Sequence, residues 1–242
     1  MSDLGSSFGI HFNQLYETIA ITFAEAKDGT NYIPNCACMG VRFIDGKTFQ
    51  MTPFLTTDTY QNLFSFPYVS INFVSNVYLY AKAALIGENA GQKEPEFLES
   101  DFDHKIIKLL RNEGHDEEEL KWLFLKESWG TVLGKLGKRQ KIVKRDQFGE
   151  NKALLGEFQI IDFLKRNESF NLINRSNNLA LEIIILTTRL KIAKKFGKKQ
   201  LYDDIFNRIT FYKKEIERFC QNDEVLKTLD FVSKYIEENV KW

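Results

Sequence analysis

Cysteine is scarce in this chain, with 3 residues in 242. A small, odd number excludes a disulfide scaffold and points to a reducing, cytoplasmic setting. Excess charge of one sign is also missing. Lys+Arg and Asp+Glu each total 33, so no net field draws the chain to nucleic acid or to an anionic membrane. Long apolar runs are absent as well. None nears the ~20 residues that span a bilayer, and the longest, over 179–186, is broken by Glu182. Residues 1–9 are small and polar, without the basic and then apolar order of a secretory leader. Histidine is rare: His11, His104 and His115 stand in polar surroundings and show neither catalytic nor metal-ligand spacing. No paired carboxylates mark acid–base hydrolysis.

Aromatic residues are plentiful, at 14% with 21 Phe. They favour sheets, cores and flat pockets. In 16–25, Ile19, Ile21 and Phe23 alternate with Ala20, Thr22 and Ala24, the period of a half-buried strand. Asp28-Gly29 reads as a turn, 32–44 as a second strand, Asp45-Gly46 as another turn and 47–55 as a third strand. Residues 56–66 begin polar and become helical. Residues 68–74 and 77–85 read as strands. Gly87 to Pro95 reads as a loop. Residues 101–111 and 116–126 read as short amphipathic helices separated by Gly114. Strand signals return at 130–133, 140–146 and 153–163. The last third predicts three helices over 170–196, 201–219 and 225–240, the first closed by Gly197. The chain is therefore predicted to be α+β, with a barrel-type part over 1–167, a helical insertion near 95–128 and a C-terminal α-helical bundle over 168–242.

Two segments could carry chemistry. In Pro34-Asn35-Cys36-Ala37-Cys38-Met39-Gly40, proline and glycine bracket small residues. Such a stretch lets a flat ring approach the backbone, and a bulged edge strand would carry the same composition. In Thr56-Thr57-Asp58-Thr59-Tyr60-Gln61-Asn62, hydroxyls cluster where a strand hands over to a helix. Free N–H groups at a helix start bind phosphate, and an ordinary N-cap by Thr57 or Asp58 has the same signature. Cys36 and Cys38 lack the companions of a zinc site and read as packing residues. Gly130 to Leu136 resembles a phosphate loop but has three residues between its glycines and Leu136 where Ser or Thr belongs, which excludes it. The basic run 135–145 could touch nucleic acid or a phosphorylated substrate. It also reads as a solvated hairpin offsetting the acidic run 116–119.

The linked order of several motifs resembles the DUF447 family of archaeal and bacterial proteins. The residues are Tyr16-Glu17-Thr18-Ile19, Asp28-Gly29, Asn35-Cys36-Ala37-Cys38-Met39-Gly40-Val41, Pro53-Phe54-Leu55-Thr56-Thr57-Asp58-Thr59-Tyr60-Gln61-Asn62-Leu63, Asn72-Phe73 and Ala83-Ala84-Leu85. Asn174-Arg175-Ser176 and Thr187-Thr188-Arg189-Leu190 add weaker matches. The likeness is dense over 15–87 and thinner over 153–195. That family is similar to the FMN-binding split barrels of flavin reductases and pyridoxamine-phosphate oxidases. The resemblance implies a split β-barrel, a homodimer with the flavin near its interface, and a flavin-dependent oxidoreductase or a non-catalytic module for a flavin, deazaflavin or pterin-like ligand. It implies Thr57, Thr59, Tyr60 and Asn62 near the FMN phosphate, Asn35 to Gly40 along the ring, and Asn72 close by. Cys38 stands where the family prefers proline, which bears on ring contact and reactivity. Asn76 stands where an acidic residue is common, which bears on the local turn.

Overall fold

A computed structural model describes residues 4–10, 12–13, 15–25, 32–86, 97–110, 117–146, 149–167, 175–219 and 223–242. The chain divides into two compact units. One comprises 1–74, 97–144 and 151–169, and the other 75–96, 145–150 and 170–242.

The first unit is a closed six-stranded barrel in the order β1–β2–β3–β8–β7–β4, with β4 returning to β1. Its strands are β1 (Leu15–Glu25), β2 (Tyr32–Phe43), β3 (Thr48–Met51), β4 (Tyr68–Phe73), β7 (Gly130–Asp146) and β8 (Gly149–Lys165). The barrel's pairing is uneven: β2 pairs with β1 from Tyr32 to Arg42 but with β3 only at Val41, Arg42 and Phe43. Both faces of β1 are buried. Ala20 joins the interior with Val41, Phe43, Phe49, Met51, Ile71 and Phe158, while Ile19 and Ile21 on the opposite face are also at 0% exposure. A short helix, α1 (Leu4–Phe8), seats Phe8 against Phe73, Trp129 and Phe163.

Gly130 and Gly134, the glycines of the segment with phosphate-loop likeness, are packing devices. A Cβ on Gly130 would lie 2.3 Å from Phe8 Cε1, and one on Gly134 would lie 2.5 Å from Phe49. Phe49 itself stacks on Phe158 with centroids 5.0 Å apart. The strands expected over 130–133 and 140–146 are one continuous strand, β7. The turn at Asp45 is built as expected: its carboxylate accepts the N–H of Lys47 and of Thr48 at 2.7 Å.

The insertion expected to be helical is a β-hairpin, β5 (Phe102–Leu110) with β6 (Glu117–Leu125). Its Lys, Asp and Glu content favours helix, but tertiary anchoring overrides propensity. Trp122 and Phe124 bury against Leu133 on the outer side of the barrel. The Trp122 Nε1–H donates to Ser70 Oγ at 2.9 Å, and the Leu125 N–H donates to Asn72 Oδ1 at 2.9 Å. Across the hairpin Lys108 faces Glu119, a pairing of opposite charges that suits a strand. The Asp28-Gly29 turn, the 87–95 loop, Gly114, the acidic residues 116–118 as side chains, His11, His115 and Cys220 lie outside the described residues or side chains.

The second unit is helical: α3 (Val77–Leu85), α4 (Arg175–Lys195), α5 (Lys199–Phe219) and α6 (Asp223–Tyr235), the last running into a π-helical turn at Ile236–Val240. Residues 77–85, predicted as a strand, form a helix instead. It is buried on several sides, at Val77, Leu79, Tyr80, Ala81, Ala83 and Leu85, so no polar face marks its period. The decisive signal is Asn76, whose side chain caps the helix by accepting the Tyr78 N–H at 2.9 Å. This residue, unusual for the family pattern, thus makes a sound turn. After α4, Gly197 has φ of +65°. The Lys198 N–H reaches Ala193 O and the Gly197 N–H reaches Lys194 O, both at 3.0 Å, the glycine-terminated stop expected there. Residues 170–174, expected in this helix, lie outside the described residues. No helix of the described residues is long and apolar enough to cross a membrane.

Candidate functional site

The site grows from the junction between β3 and α2 (Asp58–Ser65). β3 ends at Met51, pairing with β8 resumes in a bridge between Phe54 and Ala153, and Thr57 caps the helix. The Thr57 hydroxyl donates to Phe54 O at 2.8 Å and accepts the Tyr60 N–H at 3.4 Å. The N–H groups of Tyr60 and Gln61 also fold back on Thr57 O. Among the described residues, the N–H groups of Asp58 and Thr59 take no backbone acceptor, so two donors stand open at the helix start. Asp58 places an exposed carboxylate in the same turn, which opposes an anion.

Beneath the junction lies a polar cluster inside the barrel wall. Thr59 and Asn62 of α2 are buried. The Asn62 amide donates to Thr22 Oγ1 at 3.2 Å, and the Asn35 amide reaches Thr22 Oγ1 at 3.4 Å and Thr59 Oγ1 at 3.5 Å. Three expected site residues, Asn35, Thr59 and Asn62, are therefore brought together. The residue joining them, Thr22, is not among the expected site residues. Its only signal in the sequence is a hydroxyl in the row of Thr18, Ala20, Thr22 and Ala24 that alternates with Ile19, Ile21 and Phe23. Tyr60 leaves the cluster: with Leu63 and Phe64 it lines a cleft facing Leu136, Arg139, Lys141 and Leu154.

The six residues of β2 do not act as one surface, because strand side chains alternate. Asn35, Ala37 and Met39 share the inner row. Asn35 reaches Thr22 and Thr59, Ala37 pairs with the core residue Ala20, and Met39 packs on the barrel core. Cys36, Cys38 and Gly40 share the outer row, opposite Ile21, Ile19 and Glu17. Cys36 is buried and Cys38 half-buried. Burial and the Glu17 carboxylate push the Cys38 thiol up to about 12, so it is a neutral thiol rather than a nucleophile near neutral pH. At Gly40 a side chain would press on Leu15, whose Cδ1 lies 3.2 Å from an ideal Cβ.

Asn72 is placed apart from the junction. It is fully buried, its amide donates to Ile19 O at 3.2 Å and Ser70 O at 3.1 Å, and its carbonyl oxygen holds Leu125. Its hydrogen bonds join β4, β1 and the hairpin, and its strand partner Ile19 is in turn the partner of Cys38. No group of three or more His, Cys, Asp or Glu able to hold a metal occurs among the described residues.

Residues 16–126 match the family model described as "Protein of unknown function (DUF447) N-terminal domain". An uncharacterized protein of Methanocaldococcus jannaschii is 28% identical over 185 residues, covering 74% of this chain and 82% of that protein. The crystal structure of an FMN-bound DUF447 protein from Methanosarcina mazei superposes with a TM-score of 0.65 at 18% identity, covering 95% of this chain and 98% of that one. A putative flavin reductase with a split barrel domain from Shewanella frigidimarina gives a TM-score of 0.42 at 16% identity, over 66% of this chain and 71% of that one. With its closed six-stranded barrel and the fold of the FMN-bound DUF447 protein, the chain matches over residues 16–126 the N-terminal domain of the DUF447 family.

Proposed function

We propose that this protein binds FMN and serves as a flavin-dependent oxidoreductase of the flavin-reductase kind. The observation that carries the reading is the β3–α2 junction, where the open N–H groups of Asp58 and Thr59 adjoin the Thr22–Asn35–Asn62 cluster. Donors at a helix start suit a phosphate, and the chain's residues fit the group there. Asp58 costs some affinity for a dianion, which the fixed amide donors must exceed. Thr22 acts from below: by engaging the Asn35 and Asn62 amides it fixes the angle between β2 and α2, and so the spacing between a phosphate and a ring on β2. The half-buried Cys38 and Gly40 offer a small-residue surface for that ring. Bound flavin supplies hydride or electron transfer, while the protein supplies binding, orientation and local dipoles.

The likeness to the FMN-bound relative supports the cofactor. A homodimer with the ligand near its interface is part of the same reading. In its support, Leu15 is 60% exposed beside Gly40, apolar surface next to the outer row that a second copy would cover. A second reading, a binding module without turnover for a flavin, deazaflavin or pterin-like ligand, is favoured by one observation. The thiol at the site is held neutral, and no described histidine lies at the junction. The mass of any copurifying chromophore tests the ligand. Oxidation of NAD(P)H in the presence of FMN then separates the readings: turnover supports the oxidoreductase, and tight binding without turnover supports the module. A colourless protein indifferent to added FMN contradicts both.

A further inference from the structure

The cleft between α2 and the β7–β8 hairpin holds about 180 Å³. Its floor is Leu63, Leu136 and Leu154, its walls the Tyr60 and Phe64 rings, and its rim Arg139 and Lys141. Tyr60 and Phe64 are four residues apart on one helix face, turned away from buried Thr59 and Asn62. The cleft therefore opens on a different side of α2 from the polar cluster assigned to the flavin reading.

The charges of the hairpin are unevenly matched. Lys138 pairs with Glu157 at 3.2 Å and Arg145 with Glu150 at 2.6 Å. Among the described residues no carboxylate pairs with Arg139 or Lys141. The Arg139 guanidinium lies 5.6 Å from the Phe64 ring centroid, beside the cleft both residues line. Two cations two residues apart on one strand thus lean over an apolar hollow. A dry cavity of roughly 150 Å³ accepts one benzene ring, so this one has room for a single ring with a small substituent.

We propose that this cleft binds a small aromatic anion, an aryl phosphate or aryl carboxylate, with its ring on the leucines between Tyr60 and Phe64 and its charge on Arg139 and Lys141. Neither half of such a ligand suffices alone. A free inorganic anion leaves the apolar floor wet, and a neutral ring leaves the cations unmatched. The inference does not rest on the flavin reading.

Calorimetric titration of the full chain with phenyl phosphate and benzoate, against phenol and inorganic phosphate, tests it. The titrations are run with and without saturating FMN. At least one aryl anion is expected to bind tenfold or more tightly than both phenol and phosphate, in either state. The exposed pair R139A/K141A should remove that advantage while leaving FMN binding and the circular-dichroism spectrum unchanged. Phe64→Ala should weaken the aryl anion more than inorganic phosphate. Equal binding of all four probes would overturn the proposal. So would loss of the aryl-anion advantage on adding FMN, or a parallel loss of FMN affinity in R139A/K141A, since either makes the cleft part of the flavin site. If FMN never binds, the titrations without it still decide the matter.

Discussion

Single residues in this barrel carry two kinds of constraint, space and protonation. Gly134 leaves room for the Phe49 ring stacked on Phe158. Adding one methyl there forces the stack apart, and overpacking of this sort costs about 1–3 kcal/mol. Gly134→Ala is predicted to lower the unfolding free energy by that amount in a urea titration; an unchanged midpoint would show that the stack yields freely. Cys38 is governed by protonation. With its thiol pushed up to about 12, its thiolate fraction at pH 8 falls roughly a thousandfold below that of a free cysteine. Site-resolved alkylation with iodoacetamide should therefore be slow near neutral pH and accelerate as pH rises toward that value. Rapid labelling at pH 7 would contradict the assignment.

At the scale of elements, the hairpin β5–β6 is held to the barrel by a few polar anchors. Asn72 is the principal one, bridging Ile19, Ser70 and Leu125. Asn72→Ala leaves the buried Leu125 N–H and Ile19 carbonyl short of a partner, at about 1–3 kcal/mol for an unsatisfied group. Hydrogen exchange should show β6 opening earlier, while flavin affinity, if Asn72 makes no ligand contact, stays as it is. An affinity loss without faster exchange in β6 would instead make Asn72 a ligand contact.

The β2–β3 turn makes a pH-dependent contribution. N–H donors from Lys47 and then Thr48 hold the Asp45 carboxyl below its ordinary range. A depressed carboxyl stabilises the fold above its unfolded pKa, and that contribution is lost as pH falls through the folded value. Asp45→Asn should flatten the acid limb of the melting-temperature profile and leave its neutral plateau little changed in slope. An acid limb identical to that of the parent would contradict this.

The same elements show what is legible in the sequence. Alternation in β1, the Asp45-Gly46 turn and the Gly197 stop are local signals, set by side-chain period and by backbone conformation, and each can be read without the fold. The α3 helix and the β5–β6 hairpin are not local in this sense. Burial of α3 on several sides erases its period. The hairpin's charged composition favours helix until Trp122 and Leu125 find Ser70 and Asn72 across the chain. The site divides the same way. Thr57 and the helix start are visible as a motif, and Asn35, Thr59 and Asn62 are neighbours as the motifs imply. Thr22 is hidden because its role comes from the pairing of β1 with β2. The structural role of Asn72 is not visible in the motifs because its hairpin partner, Leu125, lies far along the chain.

For the whole molecule, barrel closure turns separate motifs into one place. Antiparallel pairing sets Thr22 opposite Asn35, and α2 covers them with Thr59 and Asn62. The account predicts that the phosphate, not the ring alone, secures the ligand at the β3–α2 junction. Titration of the purified, flavin-stripped chain with FMN and with riboflavin, followed by flavin fluorescence, tests this most directly. FMN should bind at least tenfold more tightly than riboflavin, the minimum expected if the phosphate engages the open donors. Equal affinities, or no binding of either flavin, would contradict it.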